Sequence, residues 1–545
     1  MKSSKESKNS RIHLEIQTHR SNPYGLLRTT YREDGVIKHE TLSRLTGLDL
    51  DTLKLIQAAL QGNVVLKSDF KVLSSREYGA SSALLQVAKA TGLDKAIYSK
   101  TSEPWVRDCL AMIIGRVVYA GSKLSLTRMN KDSALWEICG IHEEEIDVNI
   151  HCYEAMDQLF QRQDSIQKKL VEKHLFDGTV ILYDITSSYF EGEYEDSELV
   201  TFGYNRDKKR GHEQIVIALI CSQDGCPVAV EVLKGNTKDE TTVSGKILDI
   251  KEKYGIKDAI FVGDRGMITK TQFEKIQENE QYNIKTISAL THAQIEKLCE
   301  REDVQLSMFD EKNIVEVVDA EAGIRYGLCK NNTRALKEGK TRQELLARTR
   351  IELDKIANSK RKNEDGDLGI RVGKIINKYK VGKFVQTQIV EGRFFWAFDD
   401  EKIKEEEQFD GCYVIFTNVK EEDMEIHEVV RNYRKLIKVE QAFRNLKTVR
   451  LEIRPVYHKT DDRIRCHVFL CMLSYYLMWN MKQMLKPLLE KDAEGKNKEY
   501  TFDHLIERLK SIRQEKIDFS GVESQLITDR DPNQEEILKL LGVKF

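Results

Sequence analysis

The sequence predicts an α/β fold in which a core of strands and helices is interrupted by an inserted α+β subdomain. The strand-like runs TVILYDITS, EQIVIALICS and CPVAVEVLKG follow one another, and AIFVGDRG comes after a helix-like segment. Residues 81–175 instead show apolar residues at intervals of three and four, which predicts a helical domain before the core. Residues 291–425 are too long for a structureless loop in a compact domain, so we expect an insertion there.

The remaining elements follow in chain order. Leu26–Leu45 predicts two strands around an Asp-Gly turn, and therefore a small β-hairpin module before the helical domain. In the core, a helix begins at a Thr237-x-x-Glu240 capping box and a second begins at Thr271. The predicted divisions are a small N-terminal module (1–80), a helical domain (81–176), the first part of the core (177–290), the inserted subdomain (291–425), the completion of the core (426–486) and a helical C-terminal tail (487–545).

Composition argues for a folded protein and against export. The 545 residues are 40% hydrophobic and 32% charged, as in folded, helix-rich proteins. The N-terminal stretch MKSSKESKNSRIH lacks the apolar core of a signal peptide. The most apolar run, Val468–Met481, is shorter than the roughly 18 to 20 residues that a bilayer requires, which predicts a core helix and no membrane partner. The ten cysteines include no C-x-x-C pair, which favours free buried thiols over a zinc site.

A net charge of −2 does not by itself indicate a nucleic-acid-binding protein, but basic residues are concentrated locally. Basic runs occur in residues 205–212 and between residues 358 and 383. Residues 431–450 contain seven Lys or Arg residues and a single acid, Glu440. One basic run is most often a solvated surface. A lone acid among seven bases is less easily explained in that way.

Two aspartates follow apolar runs at the points where strands are predicted to end. They are Asp184 in the first strand of the core and Asp264, eighty positions later, in the fourth. Sites in open α/β sheets form at the carboxyl ends of strands. An aspartate at the end of a strand is also a common turn signal, so each one alone decides little. Burying a carboxylate without a partner costs several kcal/mol, so Asp184 requires either a partner or a function.

A third carboxylate lies in a segment predicted to be one long helix. Tyr433, Glu440 and Lys447 are spaced by seven residues, which is two helical turns with a drift of about 20°. These three side chains therefore share one stripe of the predicted helix. The alternative interpretation is an ordinary amphipathic helix in which neighbouring bases neutralise Glu440.

Two aspartates and a glutamate together form a ligand set for hard divalent cations, which prefer oxygen donors. Two such ions roughly 3.5 to 4 Å apart can activate a water or a 3′-hydroxyl for in-line displacement at phosphorus. Asp184 would then be a metal ligand, and the surrounding Arg and Lys residues would hold a phosphate backbone.

The order of these features resembles the DDE transposases of bacterial insertion sequences. It is most similar to the branch whose RNase-H-like catalytic core is split by a β-containing insertion between the second Asp and the Glu. The resemblance extends from about Phe176 to Met484 and is carried by LYDITSSYFEG, GNTKDETT, VGDRGMIT, FDGCYVIFTN, VEQAFRNLK and RPVYHKTDDRIRCHVFLC, in that order.

The resemblance implies that Asp184, Asp264 and Glu440 are the catalytic carboxylates and bind two Mg²⁺ or Mn²⁺ ions. It also implies that Tyr433 and Lys447 contact phosphates near the transposon end. The related signature often has an Arg three residues after the Tyr, where this sequence has Leu436; Arg444 is a candidate substitute. Arg265 can bind a phosphate, or it can pair with a neighbouring acid.

The function implied by the resemblance is binding of the terminal repeats, metal-dependent strand cleavage and joining of 3′-hydroxyls to target DNA. The expected partners are double-stranded DNA and a second copy of the chain in the synaptic complex. The expected location is the bacterial cytoplasm, with the protein associated with the nucleoid when bound to DNA. A nuclease without strand transfer and a domesticated or inactive DNA-binding protein remain as alternatives.

Two lesser signals are set aside. Gly339-Lys340-Thr341 lacks the P-loop glycine, because Arg334 stands at that position, so no nucleotide cofactor is expected. His467 is expected to be a hydrogen-bonded histidine on a core helix.

Overall fold

The structure, a computed structural model, describes residues 11–18, 22–33, 36–61, 70–204, 211–237, 253–256, 258–265, 285–300, 304–359, 364–447, 451, 453–454, 456–490, 500–519 and 522–544. The chain divides into two compact units. One is formed by Met1–Arg76 with Arg513–Asp529 and the other by Glu77–Ile512 with Arg530–Phe545.

The strands within the described ranges are β1 (Arg11–Gln17), β2 (Tyr24–Glu33), β3 (Val36–Leu45), β4 (Phe70–Glu77), β5 (Thr179–Tyr189), β6 (Gln214–Ser222), β7 (Pro227–Lys234), β8 (Ala259–Gly263), β9 (Lys285–Ala289), β10 (Val315–Asp319), β11 (Ile324–Lys330), β12 (Val385–Val390), β13 (Arg393–Phe398), β14 (Cys412–Thr417), β15 (Arg513–Phe519) and β16 (Val522–Ile527).

The α-helices within those ranges are α1 (Leu50–Leu60), α2 (Gly79–Ala90), α3 (Leu93–Ile97), α4 (Pro104–Val118), α5 (Lys123–Arg128), α6 (Leu135–Ile138), α7 (Ala155–Phe160), α8 (Gln163–His174), α9 (His292–Cys299), α10 (Asn332–Ala357), α11 (Asp365–Tyr379), α12 (Asp400–Gln408), α13 (Ile426–Arg434), α14 (Ile437–Lys447), α15 (Asp461–Met484), α16 (Lys486–Leu489), α17 (Phe502–Lys510) and α18 (Pro532–Leu540).

The first unit contains two small three-stranded sheets. Strands β1, β2 and β3 form one of them, with β2 in the centre, and α1 packs against β1. The predicted pairing around the Asp-Gly turn is confirmed by the ladder between β2 and β3. Leu14 and Leu53 are buried between sheet and helix, and a Cβ on Gly25 would meet both of them. The second sheet has the order β16-β15-β4. The predicted helical tail therefore also contains a β-hairpin, β15 and β16.

The second unit is built on an eight-stranded mixed sheet with the order β10-β11-β14-β9-β8-β5-β6-β7. The pairs β5/β8 and β8/β9 are parallel, and the other pairs are antiparallel. Every residue of β6 and β8 is buried. A strand buried on both faces has a nearly continuous apolar sequence, which explains why β6 and β8 could be predicted as strands from the sequence. The predicted mixed α/β fold is confirmed.

Helix α15 is the central helix of the second unit. It contacts α4, α7 and β7, and nearly all side chains from Ile464 to Met478 are buried, as the prediction of a core helix requires. By length and composition, no single helix among the described residues qualifies as a membrane span. Only the bent pair Pro104–Val118 and Lys123–Lys131 meets that test when taken together. All ten cysteines are free, as predicted, and Cys299 is the one that is partly exposed.

The predicted insertion differs from the structure in its extent. Strands β10, β11 and β14 belong to the central sheet, where β11 pairs with β14 and β14 pairs with β9. Only the part from α10 to α12 has a core of its own, formed by Leu353, Ile356, Leu368, Val372 and Phe394. The strands join the main sheet because β11 and β14 are apolar and buried almost throughout. Residues 238–252 and 266–284, which include the two predicted core helices, lie outside the described residues.

A buried arginine fixes the segment that leads from the sheet into α13. Arg325 is 6% exposed, and its Nη1 donates to the carbonyl oxygens of Val419 and Met424, both at 2.8 Å. Its Nε forms an ion pair with Glu316. This one side chain therefore ties β10, β11 and the start of α13 together.

Replacing Arg325→Met should lower the free energy of unfolding of the second unit by about 3 kcal/mol, because it leaves the Glu316 carboxylate unpaired and two carbonyls without donors. Urea unfolding would measure this loss. Lys486→Met is the control, because Lys486 pairs with Glu490 at an exposed site, where a loss below about 0.5 kcal/mol is expected. Equal unfolding midpoints for the two variants would contradict a stabilising role of Arg325.

Candidate acidic site

Asp184 lies in the middle of β5 rather than at its end. It was predicted to lie where the strand ends, but β5 continues to Tyr189. The strand is prolonged because it remains paired with β6, from Ile185 opposite Ala218 to Tyr189 opposite Gln214. Asp184 is half-buried, whereas the residues on either side of it are buried.

The sheet register places the two aspartates side by side. Strand β5 runs parallel to β8, with Thr179 beside Ala259 and Tyr183 beside Gly263. The next residues along the chain are Asp184, within β5, and Asp264, directly after the end of β8. Neighbouring strands are about 4.8 Å apart, and residues in register project from the same face of a sheet. The backbone therefore brings together two carboxylates that are eighty residues apart in the sequence.

Both carboxylates are oriented by the peptide that follows them. The N–H of Ile185 donates to Asp184 Oδ1, and the N–H of Arg265 donates to Asp264 Oδ1, each at 2.7 Å. The Asp264 carbonyl oxygen also accepts a hydrogen bond from Ser288 Oγ on β9, at 3.2 Å. The two aspartates thus share the same local geometry on adjacent strands.

Tyr433 joins this pair directly. Its hydroxyl donates to Asp264 Oδ1 at 3.3 Å. The pKa of the Tyr433 phenol is raised, first by burial and then by the negative charge of Asp264, while the Arg265 guanidinium acts in the opposite direction. The phenol therefore stays protonated and serves as a hydrogen-bond donor to Asp264.

The predicted single helix from Tyr433 to Lys447 is two helices, α13 and α14. Between them the hydrogen bonds span three residues instead of four: Leu436 N–H donates to Tyr433 O, and Val439 N–H donates to Leu436 O. Such bonds tighten the turn, so a seven-residue spacing across the break no longer keeps side chains on one stripe. The prediction that Tyr433, Glu440 and Lys447 lie on one helix is therefore wrong, whereas Glu440 and Lys447 remain two turns apart within α14.

Helices α13 and α14 nevertheless both pack against the strands that position Asp184 and Asp264. Helix α13 contacts β8, β9, β11 and β14, whereas α14 contacts β5. Glu440 lies in the first turn of α14 and is exposed. The carboxylate on α14 is thus carried by the helix that packs on the strand of Asp184.

The turn between β6 and β7 holds the start of α14. Lys435 Nζ donates to Gln223 Oε1 at 3.3 Å, and Lys438 Nζ donates to the Gln223 carbonyl oxygen at 3.2 Å. Lys438 also lies 3.7 Å from an Asp224 carboxylate oxygen. Two of the seven bases counted in the sequence therefore position the helix.

The other predicted phosphate-binding residues are distributed around this site. Arg265 follows Asp264 and is exposed, and Arg444 is exposed in the last turn of α14. Lys447 is half-buried at the end of α14. Leu436, which replaces the expected arginine, is buried at the break between the helices.

Among the described residues, one group of three His, Cys, Asp or Glu side chains has its potential metal-ligand atoms within 4.8 Å of one another. It consists of His292, Glu296 and Glu406. Lys383 forms an ion pair with Glu406, so a cation already neutralises one of these carboxylates. Asp184, Asp264 and Glu440 do not form a group that tight. Ligands of two ions about 3.5 to 4 Å apart are more widely spread than ligands of a single ion. The adjacent aspartates supply the oxygen donors that hard divalent cations prefer.

Two contributors to the site were not predicted from the sequence. The role of the turn Gln223–Gly225 as an anchor for α14 was not predicted. The bond from Tyr433 to Asp264 was also missed, because Tyr433 was expected to contact phosphate. Neither has a signal in the sequence, since both depend on which elements pack together.

The structure is an α/β protein with paired aspartates at the carboxyl end of β8. A comparison with protein families matches residues 175–477, more than half of the chain, to the transposase DDE domain. The chain therefore belongs to the transposase DDE domain family, which confirms the resemblance drawn from its motifs.

The chain was also compared with curated proteins and with solved structures. No curated protein matches the chain significantly. Among solved structures, the chain is similar to one described as a cryo-EM structure of a piggyBac transposase synaptic complex with hairpin DNA, with 7% sequence identity, coverage of 79% of this chain and 76% of that chain, and a TM-score of 0.34.

The Gly225 position tests the contact between the β6–β7 turn and α14. Gly225 has a φ of +86°, and a Cβ there would lie 2.9 Å from Lys438 Cβ. Gly178 has a φ of +84° with nothing within 4 Å of its Cβ position. Both Gly→Ala variants should lose about 1 kcal/mol of unfolding free energy for the left-handed backbone. Gly225→Ala should lose about 1 kcal/mol more for displacing Lys438, as measured by urea unfolding. Equal losses in the two variants would show that α14 does not rest on this turn.

Proposed function

We propose that this chain is a DNA transposase that binds the terminal repeats of an insertion sequence, cleaves the strands at its ends and joins them to target DNA. The observation that carries the proposal is the register of β5 and β8, which sets Asp184 beside Asp264 in a chain of the transposase DDE domain family. Helix α14, which carries Glu440, packs against β5, the strand of Asp184.

Asp184, Asp264 and Glu440 are the proposed ligands of Mg²⁺ or Mn²⁺. Two bound ions would activate the attacking water or 3′-hydroxyl and stabilise the leaving oxygen. Tyr433 fixes the rotation of the Asp264 carboxylate through its hydroxyl. Because the Ile185 and Arg265 amides also hold one oxygen of each aspartate, the carboxylates are oriented before any substrate arrives.

The cationic residues around the site are assigned to the DNA. Arg265 is adjacent to Asp264, and Arg444 and Lys447 belong to the helix that carries Glu440. Their role is to contact phosphates of double-stranded DNA and to position it, since phosphate contacts fix register rather than read sequence. Tyr433 is assigned to Asp264 first and to a phosphate only when DNA is bound.

The assembly we propose is a homodimer on two DNA ends, because the ends of an element must be held as a pair. The N-terminal residues 1–80 and the helical residues 81–176 are assigned to recognition of the ends. The proposed RNase-H-like core comprises residues 177–290 and 426–486, together with strands β10, β11 and β14, which belong to the same sheet. The protein would act in the bacterial cytoplasm, on the nucleoid.

A cleavage assay on DNA that carries the element's own end tests the carboxylates. Asp184→Asn, Asp264→Asn and Glu440→Gln should each lower Mg²⁺-dependent cleavage on the order of 1,000-fold, equivalent to about 4 kcal/mol of transition-state stabilisation. Chelation of divalent ions should abolish cleavage in the parent. The matched control is Glu428→Gln, since Glu428 is an exposed carboxylate on the neighbouring helix α13, and it should cleave like the parent.

Three outcomes of that assay would change the assignment. Unchanged cleavage by Glu440→Gln would show that the third ligand is misplaced. Cleavage without strand-transfer products would favour a nuclease. Binding of the end without cleavage under any divalent ion would favour a DNA-binding protein on the same scaffold.

Salt dependence tests Lys447. Each phosphate contact contributes about −0.9 to the slope of log affinity against log salt concentration for duplex DNA. Lys447→Ala should therefore weaken binding and make this slope shallower by about 1, measured by fluorescence anisotropy between about 50 and 200 mM salt. Lys539→Ala, at an exposed lysine of α18, is the control and should leave the slope unchanged. A parent-like slope for Lys447→Ala would remove it from the phosphate contacts.

A further inference from the structure

A cavity with a volume of about 570 Å³ lies on the helical side of the second unit. It is lined by the end of α4, the beginning of α5, the segment before α15 and α15 itself. The lining residues that matter here are Arg116, Ser122, Lys123, Tyr153, His458 and His467. None of the carboxylates described above belongs to this lining, and a volume of this size suits a small ligand.

The cavity wall carries positive charge that the described lining residues do not neutralise. Arg116 and Lys123 are each 8% exposed, and among those residues there is no Asp or Glu. Lys123 Nζ donates to His467 Nδ1 at 2.9 Å, and His467 Nε2 donates to the Ile453 carbonyl oxygen at 3.0 Å. The partner of the buried ammonium is therefore a neutral imidazole. A buried ammonium without a counter-charge costs several kcal/mol, so its presence calls for an explanation.

The pKa values of the basic groups in the cavity also reflect this uncompensated positive charge. Burial and the charge of Arg116 lower the pKa of Lys123 to about 8. Burial and the charge of Lys123 lower the pKa of His458 to about 3. Each basic group therefore raises the cost of protonating its neighbours, and an anion in the cavity would relieve the repulsion.

The turn that presents Lys123 is conformationally strained. Ala120 has a φ of 58° and Gly121 has a φ of 90°, so two consecutive residues occupy the left-handed region. For alanine this costs about 1 kcal/mol or more, and such strain concentrates at functional sites. The Arg116 guanidinium donates to the Gly121 carbonyl oxygen at 2.9 Å and holds the turn in place. Ser122 Oγ accepts a hydrogen bond from Ser125 N–H at 3.0 Å, so its own proton points elsewhere and can be donated to a ligand.

We propose that this cavity binds a phosphate group, with Lys123 and Arg116 supplying the charge and Ser122 a hydroxyl donor. The phosphate belongs either to a free small molecule or to a DNA strand, and the chemistry of recognition is the same for both. The proposal does not depend on the carboxylate site, because the two sites share no residue.

The test compares the parent with Lys123→Met by calorimetry at low salt, using inorganic phosphate, a nucleoside monophosphate and a short DNA duplex as separate probes. Lys123→Met should fold at least as well as the parent, since it removes a buried charge without removing volume. It should lose at least about 10-fold in affinity for the probe that binds, the loss expected for one charge-assisted hydrogen bond. Arg116→Met is a second, independent variant should Lys123→Met fail to fold.

The control is Lys131→Met, at an exposed lysine shortly after α5. Loss of affinity for phosphate or nucleotide in Lys123→Met alone would identify a small-molecule site. A loss confined to the duplex would identify a DNA phosphate. Equal affinities of the parent and both cavity variants for every probe would overturn the proposal, as would an equal loss in Lys131→Met. Binding of these probes is measured without any cleavage step, so failure of this proposal is distinguishable from failure of the carboxylate assignment, which is measured by cleavage.

Discussion

The parallel pairing of β5 with β8 is the constraint on which the acidic site depends. Parallel strands in register carry equivalent positions side by side, so the distance between Asp184 and Asp264 is set by backbone hydrogen bonds rather than by side-chain contacts. A slip of one residue would turn one carboxylate to the other face of the sheet. The burial of β8 on both faces and the antiparallel pairing of β5 with β6 prevent such a slip.

Helices α13 and α14 complete the acidic site that the sheet positions. Helix α13 brings the Tyr433 hydroxyl to Asp264, while α14 lies on β5. Much of the local excess of basic residues serves this arrangement: Arg434 donates to the Tyr413 hydroxyl on β14, and Lys435 and Lys438 grip Gln223. A run of bases in a nucleic-acid enzyme is therefore not a uniform binding surface. Some of these cations are structural, and net charge cannot distinguish them from the others.

Much of the sheet could be predicted from the sequence, because buried strands are apolar throughout. Asp184 and Asp264 are conspicuous because each is a carboxylate within or directly after such an apolar run. The break between α13 and α14 could not be predicted, since no Gly or Pro lies between Arg434 and Ile437 to mark it. The continuation of β5 past Asp184 depends on pairing with β6, and Asp184 gives no local sign of it. The membership of β11 in the main sheet depends on pairs such as Leu328 with Val414, which are far apart in the sequence. Partners at that separation are chosen by tertiary packing.

The participation of β10, β11 and β14 in the central sheet limits how modular the interrupted core is. Excising residues 291–425 would strip three strands from one side and leave the backbone of β9 as a bare sheet edge, the kind of surface that recruits other strands and aggregates. The part from α10 to α12 has its own apolar core, and both of its ends return to the neighbouring strands β11 and β14. Only that part has the architecture of a cassette that can be exchanged or lost while the acidic site keeps its scaffold.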